Sequence, residues 1–206
     1  MSELSKKYRM EPEGDMLRIY ALRDIPRLRI QAGDRGGRLQ VESNLSQGAD
    51  NAWVGGNAQV SGNAQVSGDA QIGGNALVSG NALVFGDALV FGNAQVSGDA
   101  WVSGDVQIGE YARVGGYARV SGNARIRGDS VLIGKMTATK DTLNFIMKPY
   151  SITVSDRHIA IGCEVKTITN WLRKAGNCGK RNNTSEADIK IYKRLIRAIT
   201  LIREGV

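Results

Sequence analysis

From Val54 onward an aliphatic residue recurs at every sixth position: Val54, Val60, Val66, Ile72, Val78, Val84, Val90, Val96, Val102, Ile108, Val114, Val120, Ile126 and Leu132. A small residue stands two places before each, from Ala52 and Ala58 to Ala124 and Ser130, with Val106 the one larger occupant. A period this short, held over fourteen hexads, means a stacked solenoid. A single hexad cannot bury its apolar face alone and must pack on its own neighbours.

The chemistry of one hexad explains the period. Side chains alternate along a strand, so the outer residues of Ala-x-Val point one way and the middle residue the other. Ala and Val face inward; the Gln, Leu, Trp or Arg between them faces out. The Ser-Gly-Asn or Ser-Gly-Asp that follows supplies a corner. Gly reaches backbone conformations closed to other residues, and Asn or Asp satisfies main-chain groups at a bend. Three such units close a triangular coil, and the hexads predict about 4.7 coils in a prism roughly 22 Å long. A core of repeated Ala and Val needs few bulky residues, in keeping with 6% aromatics and 26 glycines.

The run Val60-Ser61-Gly62-Asn63-Ala64-Gln65 resembles the repeat of the hexapeptide-repeat superfamily, which reads aliphatic, small, any, any, small, any. The resemblance covers residues 51–134 and implies a left-handed parallel β-helix of hexapeptide repeats. The left hand rests on the resemblance, since parallel crossovers otherwise prefer the right. Ala32 to Gly37, Glu42 to Ser46 and Asn51 to Val54 look like the lead-in of repeat proteins common in phages and prophages. Some of those are labelled acyltransferases on the repeat alone, so the resemblance implies a fold more strongly than an activity.

The reading is therefore a mainly β chain with a small α+β C-terminal segment. Residues 1–50 are an N-terminal capping segment, 51–134 the β-helix, and 135–206 a basic C-terminal segment. In the first, Leu17, Ile19 and Ala21 alternate with Arg18 and Tyr20, Pro26 interrupts, and Leu28 and Ile30 resume. This predicts a strand or hairpin across the open end of the first coil, where bare strand edges would recruit other chains. Past Leu132 the repeat fails, and Lys135 to Asn144 reads as a polar link. Tyr150–Ser155 and His158–Cys163 predict a hairpin about Asp156-Arg157, followed by a short helix from Thr167 to Lys174 and a loop from Asn177 to Thr184. Ser185, with Asp188 three residues on, caps a longer helix. Its apolar stripe is Ile189, Tyr192, Leu195, Ile196, Ile199 and Ile202, expected to pack on the hairpin and Trp171. Lys190, Lys193, Arg194, Arg197 and Arg203 cover the rest.

Charge is unevenly placed. The net +7 is carried by residues 145–206, while residues 1–50 sum to +1 and residues 51–144 to −1. No apolar run reaches the ~18 residues of a membrane span, and Met1 to Lys7 lacks the core of a signal peptide. These features predict a cytoplasmic protein without membrane contact. Cys163 and Cys178 lack CxxC spacing and have only His158 beside them, so two reduced thiols are expected.

Catalytic chemistry is hard to find. Acyl transfer in the resembled enzymes relies on a His base beside a subunit cleft, and the fourteen hexads hold no His and no inserted loop. His158 stands alone, next to Arg157. Asp69, Asp87, Asp99 and Asp105 occupy corners where Asn also appears, which fits turn chemistry rather than catalysis or metal binding. No catalytic residue, cofactor or metal is expected.

The outward positions are more informative. Leu77, Leu83, Phe85, Leu89, Phe91 and Trp101 form an apolar ring around the middle coils. A ring of this size predicts a subunit interface, a homotrimer by resemblance, unless the C-terminal segment folds back over it. Further on, Arg113, Arg119 and Arg125 lie on three different faces, and Tyr111 and Tyr117 replace the usual corner Asn. Arg and Tyr together can hold a phosphate and stack on a base. Lys193, Arg194 and Arg197 offer a second basic set. The expected function is a non-enzymatic homo-oligomeric binding or scaffold protein of phage or prophage type. It would sequester an anionic ligand or block a host defence factor. The alternatives are a CoA-dependent acyltransferase, and nucleic-acid binding through the basic C-terminal helices.

Overall fold

A computed structural model describes residues 6–145, 152–162, 164–181 and 184–204. The chain opens with an antiparallel hairpin, β1 (Tyr8–Glu13) and β2 (Met16–Ala21), and β3 (Arg35–Leu39) pairs antiparallel with β2. Among the described residues fifteen two-residue strands then recur every six positions, β4 (Trp53–Val54) to β18 (Thr137–Ala138).

Every third strand stacks on the same face. The first face runs β3, β5 (Gln59–Val60), β8 (Leu77–Val78), β11 (Gln95–Val96), β14 (Arg113–Val114) and β17 (Val131–Leu132). The second runs β4, β7 (Gln71–Ile72), β10 (Leu89–Val90), β13 (Gln107–Ile108) and β16 (Arg125–Ile126). The third runs β6 (Gln65–Val66), β9 (Leu83–Val84), β12 (Trp101–Val102), β15 (Arg119–Val120) and β18. From β4 onward the rung pairings are parallel with residue i against residue i+18, as in Leu83, Trp101 and Arg119. The fold is a parallel β-solenoid of about six turns, as the period requires.

The inward column is as dry as the pattern predicts. The repeating Ala and Val or Ile side chains from Ala52 to Ile126 are at most 1% exposed, and one apolar cluster runs the length of the coil. Burying each such Val contributes on the order of 1.5–3 kcal/mol, which is how a core poor in aromatics holds.

Corners work as their chemistry demands. Gly62, Gly80 and Gly98 have φ of 64°, 71° and 67°, and their neighbours stack so closely that a β-carbon on Gly98 would lie 2.8 Å from the Gly116 nitrogen. Asn side chains run in ladders between turns, Asn57 to Asn75 to Asn93 and Asn63 to Asn81 to Asp99.

Both ends extend beyond the recognisable hexads. At the N-terminus β3 pairs parallel with β5, and Leu45 bridges to Val66. The alternation expected from Leu17 to Ala21 is broken at Arg18, which is 3% exposed and donates through Nη1 to Gly36 O at 2.9 Å and Gly56 O at 3.1 Å. Leu28 ends a short 3-10 turn rather than a resumed strand. At the other end Lys135 to Asn144 is not a simple polar link. Thr137–Ala138 is a further rung on β15, with Met136 and Ala138 fully buried, and β19 (Leu143–Phe145) opens a second sheet.

That sheet is antiparallel, β19, β20 (Ile152–Val154), β21 (His158–Ile161) and β22 (Glu164–Thr167). It is tied to the last turn by Val131 N–H donating to Thr153 Oγ1 at 3.0 Å and Thr139 N–H donating to Asp156 Oδ2 at 2.9 Å. Tyr150, Ser151 and Cys163 of the expected hairpin lie outside the described residues. The first helix, α1 (Ile168–Arg181), is longer than predicted and absorbs most of the expected loop. The second, α2 (Glu186–Glu204), begins after Ser185, whose Oγ accepts from Asp188 N–H at 3.1 Å. Tyr192, Leu195, Ile196 and Ile199 pack with Trp171 and the hairpin, while the buried Ile189 sits against Gly179 of α1; the side chains of Ile202 and Arg203 lie outside those described.

Candidate functional site

The outward residues divide the coil into tiers. Leu77, Leu83 and Leu89 occupy successive rungs of one turn, one on each face, and Arg113, Arg119 and Arg125 do the same farther along. Leu77 and Phe91 are 40% exposed and Trp101 is 44% exposed, so the C-terminal segment does not cover these three. Leu83, Phe85 and Leu89 are half-buried. Phe85 meets Trp101 edge-on with ring centroids 5.1 Å apart. Phe91 lies over Gly109, where a β-carbon would come within 2.4 Å of the ring. The six therefore form pairs and singles spread over all three faces of one chain.

The arginines behave as the spacing predicts. They lie on three different sheets and do not converge within one chain. Tyr111 and Tyr117, each 63% exposed, continue the two Asn ladders past Asn93 and Asp99, so an inter-turn amide contact gives way to a solvent-facing phenol. Beside Tyr111, Glu110 has φ of 60° at a corner place that carries Gly in the other turns, and its Oε2 accepts from Gly128 N–H at 2.8 Å. Its signal in the sequence is a single Glu in a column of glycines.

Charge pairing separates the basic residues into two groups. Near the N-terminus most are engaged, Lys7 with Asp50 at 2.6 Å, Arg18 and Arg35 with Glu13, and Arg27 with both Asp69 and Asp87, while Arg23, Arg29 and Arg38 form no ion pair among the described residues. Burial pushes the Lys7 amine below its ordinary value, although Asp50 opposes this. Arg113, Arg119, Lys193, Arg194 and Arg197 are exposed and form no ion pair among the described residues. Free guanidinium groups are the ones able to engage carboxylate or phosphate.

His158 lies in β21, outside the coil strands. Its Nδ1 is buried with no hydrogen-bond partner among the described residues, and burial, then Arg157, hold its pKa below the usual value. Among the described residues no group of three His, Cys, Asp or Glu is placed to hold a metal ion. None of the described helices is long and apolar enough to cross a membrane.

Residues 58–73, 70–84, 94–110 and 118–134 match the family described as YdcK beta-solenoid repeat. The chain is a repeat β-solenoid protein. The matched spans all lie within the hexads whose strands stack in the coil, so this likeness concerns the scaffold. No curated protein matches the chain.

Proposed function

We propose that this β-solenoid is a non-enzymatic homo-oligomeric binding or scaffold protein, of the kind phages and prophages encode, that holds an anionic ligand between prisms. The observation that carries this reading is the contrast in pairing. Six of the eight basic side chains from Lys6 to Arg35 are engaged by carboxylates, while Arg113 and Arg119 are exposed without one.

The assembly follows from the apolar tier. Leu77, Phe91 and Trp101 face outward, and contact with copies of the chain removes them from water. Juxtaposed copies bring arginines from separate faces toward one another, with Tyr111 and Tyr117 beside them to stack on a planar ligand. Blocking of a host factor is the same surface used on a protein with an acidic face. Native mass spectrometry of the purified chain tests this directly. The expected species is a multimer retaining an anionic molecule; a bare monomer contradicts the proposal.

A further inference from the structure

The second face of the coil carries a groove that is bordered at one end by Leu89 and Phe91 of the apolar tier. It is an open cavity of about 500 Å³ lined by Leu28 and Ile30 of the N-terminal loop and by Trp53, Leu89 and Phe91. Gly73 leaves open space at its base, Gly55 lies against the Trp53 ring, and Gln71, Asp34 and Arg35 are its polar side chains. This volume lies within the range of sites that hold small organic ligands.

The base is unusual for this protein. The place after the inward aliphatic is mostly Ser on the first face (Ser61, Ser79 and Ser97, then Gly115 and Ile133) and on the third (Ser67, Phe85, Ser103 and Ser121), whereas the second face has no Ser there and runs Gly55, Gly73, Phe91, Gly109 and Arg127. In that column the chain itself shows what a glycine floor accepts, since the Phe91 ring lies over Gly109. A β-carbon built on Gly73 meets nothing within 4 Å, so the space above it is open to a second flat ring. Trp53 and Leu89 stand one rung to either side of Gln71, at about 4.8 Å per rung, which sets a slot rather than a sphere.

Polarity in the slot comes from side chains, because the main chain there is already used. Gly55 N–H donates to Ile72 O, and Gly73 N–H to Val90 O, both at 2.8 Å. The half-buried Gln71 amide makes no hydrogen bond among the described residues. A carboxamide offers a donor and an acceptor side by side, which pairs with the edge of a base such as adenine. Asp34 and Arg35 at the rim carry opposite charges and so do not favour a charged ligand. We infer that this groove binds a neutral planar heteroaromatic base, stacked over Gly73 and held at its edge by Gln71.

Titration calorimetry of the full chain with adenosine tests the site. Saturable binding of one adenosine per subunit is expected, and Gln71→Leu should weaken it at least about tenfold by removing the edge contacts. Leu already stands at the same hexad place in Leu77, Leu83 and Leu89, so this variant keeps the coil. Gly73→Phe, the residue its column carries at Phe91, should close the slot and abolish binding with the melting temperature preserved. No binding at millimolar adenosine, or equal affinity in the Gln71→Leu variant, overturns the inference. Binding of adenosine monophosphate without adenosine would also overturn it, because it would assign recognition to the arginines.

Discussion

Trp101 and Arg119 are register partners on adjacent rungs of the third face, with Leu83 one rung below Trp101. At this point the apolar tier meets the basic tier, and their side chains leave the coil in the same direction. A partner that covers Trp101 is therefore brought against Arg119.

Inward and outward places should differ sharply in tolerance. Val90 is fully buried in a column without polar partners, whereas Gln95 is exposed on β11. Val90→Asp should cost several kcal/mol by burying an unpaired charge, and Gln95→Asp about 0.5 kcal/mol or less. Thermal melts of the two variants check this; equal losses contradict the inward assignment.

Corner glycines should fall into two kinds. Gly98→Ala puts a β-carbon on a residue with φ of 67° and 2.8 Å from the next turn's backbone, and should cost about 2 kcal/mol or more. Gly73→Ala meets open space and should change stability by less than about 1 kcal/mol. Denaturant titrations of the two proteins make the comparison.

The repeat was legible because each inward place is asked the same question in every turn, and the answers agree. Lys135 to Asn144 was missed because the sizes are exchanged there. Met136 takes the place usually held by Ala and Ala138 the place usually held by Val, so a pattern of small-then-aliphatic fails although both residues are buried. Helix α1 runs on through Asn177 to Arg181, where the sequence suggests a loop around Gly179. Gly179 is instead a close contact, where a β-carbon would meet Ile189 at 2.4 Å. Arg18 was read as outward because a lone Arg between apolar residues is usually solvated; its burial depends on carbonyls of Gly36 and Gly56 that are remote in sequence. Of the site, the separation of the three arginines could be read from the period. The groove over Gly73 could not, because part of its lining is a loop with no repeat.

The N-terminal cap should weaken in acid. Glu13 accepts from Arg18 Nε at 2.8 Å, and Arg18, helped by Arg35, holds its carboxyl at about 2 against an ordinary 4.5. A carboxyl depressed in the folded state binds its proton first in the unfolded chain. Its contribution is therefore complete above about 4.5, and is lost as pH falls toward about 2. Glu13→Gln should be less stable than the parent at neutral pH and equal to it near the acid end. Melts across that range measure the convergence.

Assembly should depend on the aromatic members of the apolar tier. Replacing Phe85 and Phe91 by Ser installs the residue usual at that hexad place on the first and third faces, so the coil should persist. Light scattering should report a smaller particle with unchanged circular dichroism. An unchanged mass removes these two residues from the interface.

The central claim is that exposed arginines bind an anion and that no chemistry follows. Calorimetric titration with pyrophosphate, repeated from about 50 mM to about 300 mM salt, tests it most directly because exposed charges are screened over about 8–10 Å near physiological ionic strength. The account predicts binding that weakens steadily with salt and is lost in the Arg113→Ala, Arg119→Ala double variant. Loss instead in Lys193→Ala, Arg194→Ala, Arg197→Ala would move the site to α2. Salt-independent binding, or none, would contradict the account.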